Sequence, residues 1–463
     1  MNAFVAAYLK ARGYEPNTTA LDIIEKAAVW YRIGKTQEHL RPSANGLTLE
    51  MPRMGFAKRA AADDANLCEI IEINAGKNNS FVQELLKENQ FQTQFRRQLE
   101  IVSAEGTAAC YVWLDGGDAL NDGTVSGGRI RLNYVDAAGV LPLTIENNEI
   151  VEAAFWGTHH RGTREETALV IFTRDGERYL CESIVFDDQG HHEQSQIVRL
   201  GSVKPFAVMR NAEVNSIEGM DGYGFPKVYA NIPLFLNLDA AFNSFFGDIE
   251  KSDTITFLNE QLVDFDDNGT PQEARYKGED KIGIAQRKRF VFLGEALPDA
   301  KTLIHNEQPT VRVEQFRQAI ELMLDILSMK FGFGTKRYSF KDGQVTTATE
   351  YIGERQDMMQ ELNKQRQEAV QYIEGIIRAA LWFRDRSESN ADRSAEKITI
   401  EFDDSYIENK AEKLESLRQD ALSGIGGMHT RALYLKTMYN LTDAEAALWA
   451  GADADAEPPE GGA

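Results

Sequence analysis

The sequence predicts an α+β fold on three observations. A helix, a glycine-rich loop and a much longer helix fill residues 313–386. A run of short strand-like segments fills residues 108–210. Hydrophobic residues make up 43% and aromatics 10% of 463 positions, which suits a folded chain long enough for two or more domains.

Taken in order, residues 1–60 read as partly helical. Thr19-Ala20-Leu21-Asp22 is a capping-box variant ahead of Ile23, Ile24, Ala27 and Trp30, and Trp30-Tyr31 ends that helix. Residues 52–62 are basic through Arg53, Lys58 and Arg59 and lead into a helix over 61–71. A further helix runs from Phe81 to about Gly106. Residues 108–114 then read as a strand and Asp115-Gly116-Gly117 as a turn. Strands follow at 129–135, 150–155, 168–173, 178–184 and 202–210, a mainly antiparallel region.

Residues 219–224 read as a glycine-rich hinge, with Pro226 and Pro233 flanking the next helix. Phe235, Leu238, Phe242, Phe245, Phe246 and Ile249 keep helical spacing, and the pattern extends to Asn259. Residues 261–311 form an insertion with a strand candidate at 290–293.

Val313, Phe316, Ile320, Met323, Leu324 and Leu327 then paint one apolar stripe on a helix. Gly332-Phe333-Gly334 stops it, because closely spaced glycines favour non-helical backbone. Thr347-Ala348-Thr349-Glu350 is a capping box that opens the long helix. That helix would span about 55 Å at roughly 1.5 Å per residue. Its middle, 360–368, is almost wholly polar, as in a beam that crosses between two packed regions. Residues 397–402 alternate as a half-buried strand, and Asp403-Asp404-Ser405 is a turn. Helices are predicted at 408–421, 429–439 and 443–450, the last opened by Thr442-Asp443-Ala444-Glu445. The acidic tail 451–463 reads as disordered.

A net charge of −22 argues against a protein that wraps nucleic acid through a broad basic face. It leaves room for one past which DNA must slide. Cys68, Cys110 and Cys181 are odd in number and far apart, so neither a disulfide framework nor a metal pattern is expected. No signal peptide and no membrane span are read.

Asp264-Phe265-Asp266-Asp267-Asn268-Gly269 imitates the start of a calcium loop, but Arg275 stands where the bidentate Glu should be. No metal and no cofactor is therefore expected. The adjacent pairs His159-His160 and His191-His192 read as surface histidines on β-turns. No nucleophile elbow or phosphate loop is present, so no catalytic residue is assigned. Lys330, Lys336, Arg337 and Lys341 are four cations around one loop. They read either as a solvated loop with Lys330 complementing a helix end, or as weak phosphate contacts. Arg287, Lys288 and Arg289 read either as strand-edge protection or as similar contacts.

Several of these segments together resemble the portal proteins of tailed bacteriophages, especially the type found in long-tailed phages of Gram-positive hosts. The resemblance begins with Trp30-Tyr31 and the basic 52–62 segment. It continues through Gly219-Met220-Asp221-Gly222-Tyr223-Gly224 and Leu238-Asp239-Ala240-Ala241-Phe242. Its most specific block is Gly332-Phe333-Gly334 with Thr346-Thr347-Ala348-Thr349-Glu350. It ends with Ile400-Glu401-Phe402-Asp403-Asp404-Ser405, Gly424-Ile425-Gly426-Gly427 and Met438-Tyr439-Asn440-Leu441-Thr442.

The resemblance implies a portal-like fold with an antiparallel β-rich wing, long stem and spine helices and a helical crown. It divides the chain into a wing (1–226), a first stem helix (227–260), a clip insertion (261–311) and a second stem helix (312–331). A tunnel loop (332–347), a spine helix (348–386), a wing return strand (387–407) and a crown with the acidic tail (408–463) complete it. The implied assembly is a homo-oligomeric ring of about twelve subunits at one capsid vertex, assembled in the host cytoplasm. Double-stranded DNA would pass through its channel. The implied partners are the terminase large subunit, a head-completion or adaptor protein, and the major capsid and scaffold proteins, with no membrane. Under that reading Lys330, Lys336, Arg337 and Lys341 belong to the DNA-channel loop, and Arg287, Lys288 and Arg289 to the clip. The competing reading is a metal-dependent hydrolase built on the Asp264–Asn268 turn.

Overall fold

The computed structural model describes residues 2–42, 48–119, 125–162, 164–192, 196–252, 255–259, 289–293, 304–334, 337–338, 348–385, 398–402, 410–425, 427–439, 441 and 443–452. The chain begins with helices α1 (Ala3–Ala11) and α2 (Thr18–Tyr31), then the strands β1 (Leu40–Pro42) and β2 (Thr48–Glu50). Next come α3 (Phe56–Ala65), β3 (Ile70–Asn74), α4 (Asn79–Glu88) and α5 (Phe91–Glu105). The β-region comprises β4 (Thr107–Ala119), β5 (Val125–Asp136), β6 (Val140–Glu146), β7 (Glu149–Arg161), β8 (Arg164–Asp175), β9 (Arg178–Phe186), β10 (Gln196–Arg199) and β11 (Phe206–Arg210). Helices α6 (Lys227–Ala230) and α7 (Ile232–Lys251) lead to β12 (Ile255–Asn259), β13 (Arg289–Leu293) and β14 (Ile304–Glu307). The chain closes with α8 (Val313–Lys330), α9 (Ala348–Asp385), β15 (Thr399–Phe402), α10 (Lys410–Leu422), α11 (Gly427–Tyr439) and α12 (Asp443–Ala452).

Two antiparallel sheets face each other, ordered β10-β9-β8-β7-β6 and β11-β4-β5. Period-two alternation decides their faces. Phe155, Val170, Phe172 and Cys181 point into the main core, while Ala154, Leu169, Ile171 and Ile184 point the other way and meet Val5 and Leu9 of α1. Aromatic rings join the sheets: Tyr111 and Phe155 lie 5.3 Å apart, Phe172 and Phe206 5.6 Å. On the far side of the smaller sheet lies α9, whose Gly375 leaves room for Ala207 of β11. The order is thus α9, small sheet, large sheet, α1. No helix among the described residues is long and apolar enough to cross a membrane.

Several sequence expectations change. The cap of α2 is Asn17, two residues before Thr19; its Oδ1 accepts the Ala20 N–H at 3.0 Å. The helix expected over 61–71 is α3, which starts and ends earlier, because Ile70–Asn74 pairs with β15. The single helix expected from Phe81 is broken into α4 and α5. Gln90 adopts φ +50°, and the Asn89 side chain both donates to Leu85 O (2.9 Å) and accepts from Leu132 N (3.1 Å). Asp115-Gly116-Gly117 is no turn: β4 continues through it, with Asp115 opposite Arg129 and Gly117 opposite Gly127.

The strand expected from Ser202 begins at Phe206. The 219–224 segment is packed rather than hinge-like, since Met220 and Tyr223 are buried and the Tyr223 hydroxyl donates to Val140 O at 2.7 Å. Helix α7 stops at Lys251, and the run 255–259 is β12, paired with β13 in parallel and with β14 antiparallel. His159 and His160 lie in β7, not on a turn, opposite Glu166 and Glu165. The polar middle of α9 is packed on one side only, with Gln360, Asn363, Lys364 and Gln367 exposed. Leu362 is buried, and the Gln365 side chain accepts from Ala212 N and donates to Arg210 O. The calcium-loop imitation, Thr347, the Asp403–Ser405 turn and the tail 453–463 lie outside the described residues.

One buried carboxylate makes stability depend on pH. Glu105 ends α5 with no exposed surface, and neither carboxylate oxygen has a hydrogen-bond partner. Arg32 stands 3.6 Å away and bridges to Asp136 at 3.5 Å. Burial pushes the Glu105 carboxyl up to about 7, with Arg32 opposing and Asp136 adding. The folded state therefore holds this proton more tightly than the unfolded chain. The resulting stability is present below the unfolded value and is lost as pH rises through about 7. Glu105→Gln is expected to stabilise the protein by about 1–3 kcal/mol on the alkaline side of that window. Urea midpoints for both proteins across the window check this, and parallel pH profiles would sink it.

Candidate functional site

The end of α8 is set by local sequence. Ile320, Leu324 and Leu327 bury one face, and Phe316 meets Phe245 of α7 at 5.6 Å. The helix closes with a double bond pattern: Gly332 N donates to Met329 O (3.1 Å) and Phe333 N to Ser328 O (2.9 Å). Gly332 holds φ +80°, which a glycine adopts without strain, and a Cβ there would meet Glu361 of α9 at 2.8 Å. The expected glycine stop is thus also a close contact between loop and long helix.

Beyond the stop, aromatic side chains tie the loop down. Phe331 and Phe333 are buried and stacked at 6.0 Å, and Phe331 also meets Phe235 of α7. Tyr338 sets its ring edge against Phe333 at 6.2 Å. The Tyr338 hydroxyl donates to Asp63 Oδ2 of α3 at 3.0 Å. Arg59 Nε donates to the same oxygen at 2.9 Å, and Asp63 is only 3% exposed.

A second charge pair lies beside the first. Lys227, which opens α6, is buried with its Nζ 3.1 Å from Asp64 Oδ2, and Ser103 Oγ donates to that oxygen at 2.6 Å. Burial works against the lysine's charge, but Asp64, with Glu361 and Glu213 adding, outweighs it and the Lys227 pKa is raised. The Phe331 ring lies 6.0 Å from Nζ. Asp64 follows Ala57, Ala60 and Ala61 at helical spacing, so an acid on an apolar face was the signal available in the sequence.

Of the candidate cations, Lys330 is exposed in the last turn of α8, where it complements the helix dipole. Arg337 is exposed with its guanidinium 6.0 Å over the Phe333 ring. The structure brings these two to one loop root. Lys336 and Lys341 lie outside the described residues, as do Arg287 and Lys288; Arg289 is the first residue of β13 and pairs with Ile255.

Catalytic chemistry finds little footing among the described residues. A cavity of about 740 Å³ lies between β3, α4 and α5, and none of residues 331–338 lines it. Its Cys68 is buried, and burial pushes the thiol up to about 12, so no thiolate forms near neutrality. Thr36, His39 and Asp239 do form a hydroxyl–imidazole–carboxylate chain at 2.6 and 2.9 Å. His39 is 1% exposed and Asp239 also accepts the Met54 N–H, so this chain clamps Thr36, His39 and Met54 onto α7. No group of three or more potential metal ligands occurs among the described residues.

A family model described as phage portal protein, SPP1 Gp6-like, matches residues 68–459. No curated protein matches the chain.

Proposed function

The chain belongs to the phage portal proteins of the SPP1 Gp6-like family, and we propose that it forms the ring at the unique capsid vertex through which double-stranded DNA enters and leaves. The family is structural rather than catalytic. Stem helices α7 and α8 would line the ring, residues 261–311 would form the clip that meets the terminase large subunit and the adaptor, and α9 would be the spine. The 332–347 loop would face the DNA, with Lys330, Lys336, Arg337 and Lys341 touching phosphates in passing. An exposed cation gains mainly through counterion release, so such contacts are weak and salt-sensitive. A strongly acidic chain keeps them from holding the DNA.

The observation that carries the assembly is the surface of α10, α11 and α12. Leu422 is 77% and Leu448 72% exposed, and Ile425, Met428, Leu433, Tyr439 and Trp449 are exposed with them. Among the described residues of these helices only Ala446 and Ala450 are buried. Apolar area of this extent is expected to be covered, and a ring of identical subunits covers it on every copy. The test is negative-stain microscopy of the purified chain, expected to show rings with a central hole. The Lys336→Ala/Arg337→Ala/Lys341→Ala variant is expected to give the same ring yield and a changed length of packaged DNA. Monomer at every concentration and salt would remove the ring. Unchanged packaging at two ionic strengths would remove the cations' role.

A further inference from the structure

We propose that Tyr338 and Asp63 form a latch that ties the base of the 332–347 loop to α3 and so fixes where that base sits. The proposal deepens the channel-loop reading and rests on it for its functional consequence. The latch has two ends. At the first, Phe331 and Phe333 are wedged into the core and Gly332 lies against Glu361 of α9. At the second, the Tyr338 hydroxyl reaches a carboxylate oxygen that is nearly inaccessible to water and already fixed by Arg59. A hydrogen bond to such a charged acceptor is stronger than an exposed one, because water competes poorly for either partner.

The consequence is that Lys330 and Arg337 are not equivalent. Lys330 sits on the helix and Arg337 beside the latch, stacked on Phe333. The base of the loop is therefore coupled to α3, an N-terminal element far away in sequence. Tyr338 acts as a positioning residue, since it presents no charge of its own to DNA.

The experiment is limited trypsin digestion of the purified full-length chain, following cleavage after Arg337, with the urea midpoint measured alongside. Tyr338→Phe keeps the ring contact and removes only the hydroxyl. It is expected to raise the cleavage rate about tenfold, the shift given by a hydrogen bond to a charged acceptor, and to lower the midpoint by no more than that one interaction. Asp63→Ala, which removes the acceptor and also releases Arg59, is expected to raise cleavage at least as much and to lower the midpoint further, and the double variant to raise cleavage no more than Asp63→Ala alone, because Tyr338 and Asp63 share one interaction. Wild-type cleavage rates for Tyr338→Phe, or fully additive effects, would overturn the latch. DNA packaging by Tyr338→Phe separates the two readings. Faster cleavage with altered packaged length supports latch and channel loop together. Faster cleavage with unaltered packaging keeps the latch and overturns its role at the DNA.

Discussion

Gly106→Ala is expected to destabilise the protein by about 2–6 kcal/mol, among the largest effects of any single methyl group in the chain. Gly106 follows α5 with φ +90° and ψ −26°, a backbone state that alanine adopts only under strain. Its N–H donates to Val102 O at 3.0 Å and its carbonyl accepts from Asn211 N at 2.9 Å, so the residue cannot turn away. An added Cβ would lie 2.8 Å from the Gly224 carbonyl carbon, closer still to its oxygen, and 3.0 Å from Pro226 N. These are backbone atoms and have no rotamer to escape into. The opposing segment is itself pinned. Gly224 N donates to Thr107 Oγ1 at 2.9 Å, and Asn215 Nδ2 donates to Gly224 O at 3.0 Å. Gly13→Ala is the control, because Gly13 also holds a positive φ (+87°) but has nothing within 4 Å of an added Cβ. It should show only the backbone strain, about 1–3 kcal/mol. Urea unfolding of both variants gives the comparison. Equal losses would mean that the Gly106–Gly224 contact contributes nothing.

That pair also marks where the sequence stops being readable. Gly106 was legible as the end of a helix, a local property. Its contact with Gly224 depends on a second segment far along the chain, and no local pattern encodes it. The same division runs through the fold. Helix α8 and the α9 start are legible because their apolar spacing and helix signals lie within the segment itself. The break between α4 and α5 is not, because it is held by Asn89 reaching Leu132 in another element. The glycines at 115–117 imitate a turn, and only their pairing with 127–129 shows them to be strand. At the candidate site, Lys330 and Arg337 could be named from residue type alone. Tyr338, Asp63 and Lys227 could not, since a polar group's role in a core is defined by its partner. Asp63 and Asp64 are adjacent acids with separate partners, one holding Tyr338 and Arg59, the other Lys227 and Ser103.

Lys227→Ala is expected to lower stability by about 3 kcal/mol, because it leaves a mostly covered carboxylate without its counter-charge. Lys227 is 4% exposed, and Asp64 retains 19% side-chain exposure, too little for water to replace the ammonium. The substitution also removes the ammonium that stands 6.0 Å from the centre of the Phe331 ring, at the root of the loop. Glu213 and Glu361 both face the same lysine. Burial already raises the Glu213 pKa, and Lys227 is the first group opposing that rise. Without the lysine, the charges of Glu361 and Asp64 act on Glu213 unopposed, and Glu213 favours its protonated form in the folded state more strongly. A folded-state pKa raised in this way adds stability at low pH and loses it as pH rises. The deficit of Lys227→Ala should therefore be smaller near about pH 5 than near about pH 8. Lys227→Met/Asp64→Asn, which removes both charges and keeps the volume, should recover most of the loss. Urea midpoints at the two pH values, for the single and the double variant, decide the matter. A deficit independent of pH, with a double variant as unstable as the single one, would show that Lys227 contributes packing alone. The Lys227–Asp64 pair would then have no electrostatic part in holding the root of the loop.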